Sequence, residues 1–206
     1  MIAGLALVAV AAACGSDDDT DPAAAQWWDR IPKAALEPTP GETAQVDQST
    51  VPLDPSLSQA KAIKGPYSLR IPRIGVDAPV VAIQSNEDRV LVPPRDPGLV
   101  GWWSDGAAPG APEGSAVVVG HTVRSGGGVF DDIGGLRSGD TIEVEGSGDS
   151  LTYSVESVEV MSKDDFARNA EQILDQGGPG RLVVITCDDW DGTAWRSNIV
   201  TVAEPA

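Results

Sequence analysis

Residues 181–187 read Arg-Leu-Val-Val-Ile-Thr-Cys, an apolar run that ends in a cysteine and is followed by the polar stretch Asp188-Asp189-Trp190-Asp191-Gly192. Short runs rich in β-branched residues and bounded by Gly, Pro or Asp are typical of buried strands. A thiol at the end of such a strand, where a loop begins, can be reached by a substrate. A free cysteine is also commonly a buried structural residue. The run therefore predicts a strand and makes Cys187 a candidate site residue without deciding its role.

A second apolar run, Ser-Ala-Val-Val-Val-Gly-His at 115–121, also ends in a chemically active side chain. His121 is the one histidine in the chain, so any mechanism that needs an imidazole must use it. The loop-like segment 123–128 follows it. Taken alone, His121 is just as well explained as a satisfied histidine at a strand end.

Between and around these runs, short β-branched segments alternate with turns from Tyr67 onward. The sequence predicts an all-β domain with minor helices, arranged as a barrel or sandwich. One slip in the alternation of 151–161 predicts a β-bulge. A short turn is expected at 129–136, and a helix with acids in its first turn at 164–175. Besides the two runs above, the predicted strands are 68–74, 76–83, 89–92, 98–103, 140–145, 151–161 and 197–203.

Composition excludes several classes of function. The formal charge of the 206 residues is −17, from 31 acids and 14 bases, and such a surface repels nucleic-acid backbones. The two cysteines, Cys14 and Cys187, are too few for a disulfide-stapled secreted fold. With a single histidine, a zinc site built from several His and Cys ligands is nearly excluded.

The N-terminal region looks like a targeting segment followed by a linker. Residues 1–13 are apolar but shorter than the roughly 20 residues that a membrane span needs. No Lys or Arg precedes them, so we expect an upstream or internal start. Ala11-Ala12-Ala13-Cys14 resembles a bacterial lipoprotein signal, although Leu or Val would be usual at Ala11, and an ordinary secretion signal or a truncated anchor is the alternative.

These features divide the chain into a targeting segment at 1–14, a Pro/Ala/Asp-rich linker or stalk at 15–66 and a β-rich domain at 67–206. Under the lipoprotein interpretation Cys14 is lipidated, and we expect an extracytoplasmic, membrane-anchored protein. Trp27-Trp28 in the linker either lies in the membrane interface or packs on the domain; the sequence does not decide.

Cys187, His121 and Arg196 form a more convincing set than any one of them alone. A nearby cation favours the thiolate, which is the nucleophilic form. An imidazole can supply that charge and later protonate a leaving amine. The Arg196 guanidinium, at the start of the last predicted strand, can stabilise an oxyanion. The three are one sufficient set for amide cleavage through a thioester.

The order and surroundings of these residues resemble the sortase family of cysteine transpeptidases. The resemblance covers about 67–203 and is greatest to the class E and F enzymes of high-GC Gram-positive bacteria. It implies a closed β-barrel of about eight strands with short helices in the connections. The motifs that carry it are Val-Val-Val-Gly-His-Thr at 117–122, Ile-Thr-Cys at 185–187, Trp-Arg-Ser-Asn-Ile-Val at 195–200, Ile-Pro-Arg-Ile-Gly-Val at 71–76 and 130–140.

The resemblance also implies roles and partners. Cys187 would attack the carbonyl of a Thr in the C-terminal sorting signal of a secreted protein, with His121 as general acid and base. Arg196 would hold the oxyanion or orient the substrate, and Thr186 would support the oxyanion or the substrate backbone. An amine such as a cell-wall peptide precursor, or water, would resolve the thioester. The implied enzyme is a monomer that needs no cofactor and no metal.

Two other classes of cysteine enzyme fit the sequence less well. An L,D-transpeptidase carries a Ser-His-Gly-Cys cluster, which is missing here, and a papain-like protease places its Cys before its His. A non-catalytic surface lipoprotein or binding module on the same barrel remains an alternative. Asp188, Asp189 and Asp191 count against catalysis because negative charge beside Cys187 disfavours the thiolate.

Overall fold

Eight strands form a closed barrel in the computed structural model, which describes residue 65, residues 67–86 and residues 90–206. The predicted all-β fold class is therefore confirmed, as a barrel. The predictions on 1–14 and most of 15–66, including Cys14 and Trp27-Trp28, lie outside the described residues. The strands are β1 (Tyr67–Ile71), β2 (Val76–Ile83), β3 (Val100–Trp103), β4 (Ser115–Val119), β5 (Thr141–Glu145), β6 (Ser150–Ser162), β7 (Arg181–Trp190) and β8 (Trp195–Pro205).

The strand order around the barrel is β1-β2-β3-β4-β7-β8-β6-β5, and β5 closes it against β1. Two neighbouring pairs are parallel, β2 with β3 and β4 with β7, and the other pairs are antiparallel. The β4–β7 pair is the important one for function, because it sets side by side the two apolar runs that the sequence singled out.

Strand β7 is buried on both faces, which explains why its sequence is continuously apolar instead of alternating. Leu182 and Val184 belong to the cluster that fills the barrel interior. Val183 and Ile185 belong to a second cluster outside the barrel, together with Phe166 of helix α1 (Lys163–Ile173). At about 25 cal/mol per Å² of apolar surface, this two-sided burial makes β7 a major contributor to stability.

The helix and the bulge agree with their predictions. Helix α1 is capped by the Ser162 hydroxyl, which accepts from Asp165 N–H at 3.0 Å. The register between β6 and β8 shifts between Val155 and Ser157, where the alternation slips. The turn expected at 129–136 contains a 3-10 helix at Ile133–Gly135. None of the helices in the described ranges has the length and apolar character needed to cross a membrane.

Prolines explain two of the differences between the predicted strands and the structure. The first strand ends at Ile71 instead of 74, because Pro72 has no N–H to give to the sheet and begins a 3-10 helix, Pro72–Ile74. The strand predicted at 89–92 is wrong in its described part: Val90 and Leu91 form isolated bridges, that of Leu91 with Ser85, and no strand. Pro93 and Pro94 follow directly and cannot donate to a ladder.

Candidate active site

Cys187 lies inside strand β7, not at its tip, because the strand continues to Trp190. Its neighbour across the antiparallel pair is Asn198 of β8, and both residues are completely buried. Side chains alternate along a strand, so Cys187 faces the same side as Val183 and Ile185, toward helix α1. The thiol is not in a disulfide.

His121 follows the end of β4 at the same level as Cys187. The parallel register pairs Val119 with Ile185, and Gly120 N–H continues it by donating to the Ile185 carbonyl oxygen at 3.3 Å. The next position in this register aligns His121 with Cys187, on strands that run about 4.8 Å apart. The structure thus brings together the two residues that the sequence placed at separate strand ends.

The His121 ring is oriented by a backbone carbonyl. Its Nε2 lies 2.7 Å from the carbonyl oxygen of Pro94, which can only accept a hydrogen bond. Nε2 therefore carries a proton in this contact, and Nδ1 is the ring nitrogen that the contact leaves available. Pro94 has a positioning role that sequence reasoning did not identify.

The backbone on both sides of His121 is held by its surroundings. A Cβ built on Gly120 would lie 2.5 Å from the Phe130 ring, so only glycine fits before the histidine. After it, the Asp131 carboxylate accepts from Val123 N–H at 2.7 Å and from Gly128 N–H at 3.0 Å. Phe130 N–H donates to the His121 carbonyl oxygen at 3.0 Å. These contacts fix the loop that the sequence predicted only as irregular.

Thr186 points to the opposite face of β7 from Cys187, by strand alternation. Its buried hydroxyl donates to the Gly120 carbonyl oxygen at 2.9 Å and lies 2.8 Å from the Thr122 hydroxyl. These contacts fasten β7 to the segment that carries His121. The role of Thr186 at the oxyanion stays a prediction.

Arg196 lies near the start of β8, two residues from Asn198 and so on the same face as Cys187. Its Nε donates to the Asp191 carboxylate, and its side chain is 57% exposed. Asp191 also accepts from the backbone N–H groups of Ala194 and Thr193, and these bonds together with Arg196 hold the pKa of its carboxyl below the ordinary value. Arg196 is therefore held at the β7–β8 turn.

Not all of the acidic residues after Cys187 act electrostatically on its thiol. Asp188 pairs with Ser197 and faces away from Cys187, into an open groove of about 660 Å³ whose other acids are Asp131 and Asp132. Asp191 is paired with Arg196. The electrostatic objection raised by these residues is therefore weaker than the sequence suggests.

Two residues that sequence reasoning missed lie beside Cys187. Lys163, the first residue of α1, places Nζ 3.6 Å from the Cys187 sulfur. The same Nζ donates to the side-chain oxygen of Asn198. A cation this close favours the thiolate. The available signals were weak: Lys163 directly precedes the predicted helix, and Asn198 lies inside the Arg196 motif.

Comparisons with known proteins concern the family and the fold of the barrel domain. Residues 69–206 match the family model described as the Sortase domain. Sortase C-1 from Actinomyces oris is 24% identical, with a TM-score of 0.54 over 69% of this chain and 75% of that chain. A lid mutant of sortase A from Corynebacterium diphtheriae is 19% identical, with a TM-score of 0.54 over 71% of this chain and 70% of that chain. For a sortase D5 transpeptidase from Clostridium perfringens the identity is 21% and the TM-score 0.52, over 69% and 79% of the two chains.

At these identities the likeness to the solved structures concerns the fold. No curated protein gave a significant match to the sequence.

Proposed function

The chain belongs to the sortase family, and on that premise we propose that its barrel domain, residues 67–206, is an active cysteine transpeptidase. The observation that carries the proposal is the β4–β7 register, which aligns His121 with Cys187, next to the ammonium group of Lys163. A thiol with an imidazole and a second cation nearby has the surroundings of a nucleophile.

In the proposed reaction the Cys187 thiolate attacks the carbonyl carbon of a Thr in a C-terminal sorting signal. The carbonyl π electrons move to the oxygen, and Arg196 orients the substrate or this oxyanion. When the intermediate collapses, the C–N bond breaks and the amine leaves with a proton from His121. The product is a thioester on Cys187.

An incoming amine, such as that of a cell-wall peptide precursor, then attacks the thioester. His121 takes the proton of the amine, the C–S bond breaks, and the thiolate is restored. Water takes the place of the amine when no amine competes. The sequence motifs favour a class E or F enzyme within the family.

The proposal extends to location. Residues 1–14 would direct the chain out of the cytoplasm, lipidation of Cys14 would anchor it, and 15–66 would act as a stalk. Labelling with a fatty-acid probe should mark the wild-type protein and not Cys14→Ser; equal labelling of both would contradict the lipid anchor.

The activity is tested by intact mass after incubation with a library of sorting-type peptides. The wild-type protein should gain the mass of the N-terminal peptide fragment as a thioester that hydroxylamine removes. Cys187→Ala should gain nothing, and adding an amine should release the wild-type adduct as a ligated product. An adduct that persists in Cys187→Ala would contradict the assignment of the nucleophile.

One observation favours the second candidate, a non-catalytic binding module: Cys187 is fully buried. Alkylation by iodoacetamide separates the two. An active enzyme should lose activity in step with alkylation of Cys187 in the native state. A Cys187 that is alkylated only after denaturation, in a protein that forms no acyl adduct, would support the binding module.

A further inference from the structure

The amide nitrogen of Asn198 is a buried donor without an acceptor in the part of the chain that the structure describes. Asn198 is 0% exposed, and its Nδ2 has no hydrogen-bond partner among the described residues. Buried amide donors are almost always paired, and leaving one unpaired costs free energy. An unpaired donor that is kept in a polar cluster therefore indicates a group that binds there and accepts from it.

The direction of this donor is fixed by Lys163. An ammonium has only donors, so the Asn198 atom that contacts Nζ must be the oxygen Oδ1. Nδ2 is consequently turned away from Lys163. The same Nζ lies 3.6 Å from the Cys187 sulfur, which places amide, ammonium and thiol in one cluster.

Asn198 is also the direct neighbour of Cys187 across the β7–β8 pair. Directly opposite residues on one face have Cβ atoms about 5 Å apart. An acyl group on the Cys187 sulfur therefore carries its oxygen within reach of the Asn198 side chain. Side-chain amides are among the donors that stabilise oxyanions in acyl transfer.

We infer that Asn198 Nδ2 donates a hydrogen bond to the substrate carbonyl oxygen as it becomes an oxyanion on Cys187, and that Lys163 is the positioning residue that holds the amide in this orientation. The inference rests on the proposed function. In the step concerned, the sulfur forms a bond to the carbonyl carbon, the oxygen takes the π electrons, and the Asn198 N–H keeps its proton while donating. With the oxyanion held by Asn198, the role left to Arg196, which is held at the β7–β8 turn, is to orient the substrate chain.

The test compares two reactions of the same thiol. Acylation by a sorting-type peptide builds an oxyanion, whereas alkylation by iodoacetamide does not. Asn198→Leu keeps the approximate shape of the side chain and removes the donor. It should slow single-turnover acylation by about 10²–10³-fold, the usual effect of losing one oxyanion donor. Its alkylation rate should stay close to that of the wild-type protein.

Thr201→Val is the matched control. Thr201 lies on the same strand, is fully buried, and has a hydroxyl without a partner among the described residues, but it pairs with Val184 on the interior side of the barrel. Removing this hydroxyl should change neither acylation nor alkylation. Asn198→Ala provides a second variant if Leu is not accommodated, with the same expected separation of the two rates.

The positioning role of Lys163 is tested with the same two reactions, because both need the thiolate and only acylation needs the oriented amide. Lys163→Met should slow single-turnover acylation more than alkylation with an unchanged KM, and Lys163→Arg should restore most of kcat. Equal slowing of acylation and alkylation in Lys163→Met would limit Lys163 to favouring the thiolate and overturn its positioning role.

The outcomes are distinguishable. If the wild-type protein forms no acyl adduct, the proposed function fails and the inference fails with it. If the wild-type protein acylates and Asn198→Leu and Asn198→Ala acylate equally fast, only the inference fails. Equal losses of acylation and alkylation in both variants would assign Asn198 a structural role, and this result would also overturn the inference.

Discussion

The Thr186 hydroxyl donates to the Gly120 carbonyl oxygen at 2.9 Å, and this bond joins β7 to the end of β4 one residue before each of the two proposed catalytic side chains. The residues that it connects are 66 positions apart in the sequence. The bond thus acts on the alignment of Cys187 with His121 and involves neither side chain directly.

Thr186→Val should weaken this alignment, because valine has the same shape and no hydroxyl. The Gly120 carbonyl would lose a buried donor, and we expect a loss of about 1–3 kcal/mol in the free energy of unfolding. Acylation should slow, while Thr186→Ser should restore both properties. Urea unfolding and single-turnover acylation measure the two effects. A Thr186→Val protein with wild-type stability and reduced acylation would instead support a direct role at the oxyanion.

In His121→Ala no other imidazole can replace the one removed, because the sequence contains no other histidine. Loss of a general acid and base costs about 10²–10⁴-fold in rate. We expect a loss of that size in acylation by a peptide whose leaving group is an amine. A peptide thioester, whose leaving group needs no proton, should react with a smaller penalty. Substantial residual transpeptidation of the amide substrate would overturn the assignment of His121.

Asp131→Ala should disturb the loop after His121. Its carboxylate accepts from two backbone N–H groups, those of Val123 and Gly128, and hydrogen bonds to a charged acceptor contribute about 1.5–3 kcal/mol each. We expect lower stability and slower acylation. Asp132→Ala is the matched control, since Asp132 is the adjacent acid, lines the same groove, and its side chain caps no backbone N–H of the 3-10 helix that follows it. Equal effects of the two substitutions would point to groove charge instead of loop geometry.

The β7–β8 turn that holds Arg196 should keep its contribution to stability as the pH is lowered toward the ordinary aspartate pKa. The pKa of Asp191 is lowered, first by the Ala194 and Thr193 N–H groups and then by Arg196. A carboxyl with a lowered folded-state pKa adds stability above its unfolded pKa and loses it as pH falls through the folded value. The melting temperature of wild-type protein should therefore exceed that of Asp191→Asn at neutral pH, and the two should converge only below the ordinary aspartate pKa. Convergence already near pH 6 would contradict this account.

Tyr153 links the barrel to the segment before β4, because its buried hydroxyl accepts from Gly110 N–H at 2.7 Å. Tyr153→Phe removes this acceptor and should reduce the free energy of unfolding by about 1–3 kcal/mol. Burial raises the pKa of Tyr153 above the ordinary value for a tyrosine. Because the folded state then holds its proton more tightly, stability should fall as pH rises above the unfolded value. Measured by urea unfolding, the free energy of unfolding of Tyr153→Phe should therefore fall less at alkaline pH than that of the wild-type protein.

The sequence was sufficient to predict the fold where local rules decide. The β-branched runs predicted the strands, the slip in 151–161 predicted the bulge, and the acids at 164 and 165 marked the first turn of α1. Two of the errors arose at Pro72 and Pro93, where the missing N–H ends pairing before the apolar pattern ends.

The candidate site was harder to predict because its geometry is non-local. Cys187, His121 and Arg196 were each visible as chemically suitable residues at the ends of apolar runs. Their alignment depends on the parallel pairing of β4 with β7, which no local pattern in either strand specifies. Lys163 and Asn198 look like an ordinary helix residue and an ordinary strand residue, and only the packing of α1 over β7 brings them to the thiol.

The position of β7 between β4 and β8 has a consequence for when the candidate site is assembled. A chain is made from its N-terminus, so β7 and β8 are the last of the described strands to become available. Until they pair, the chain has no Cys187 in the barrel, no partner for His121 and no turn for Arg196. On the proposed function, acyl transfer would therefore begin only in a chain whose last strands have entered the barrel.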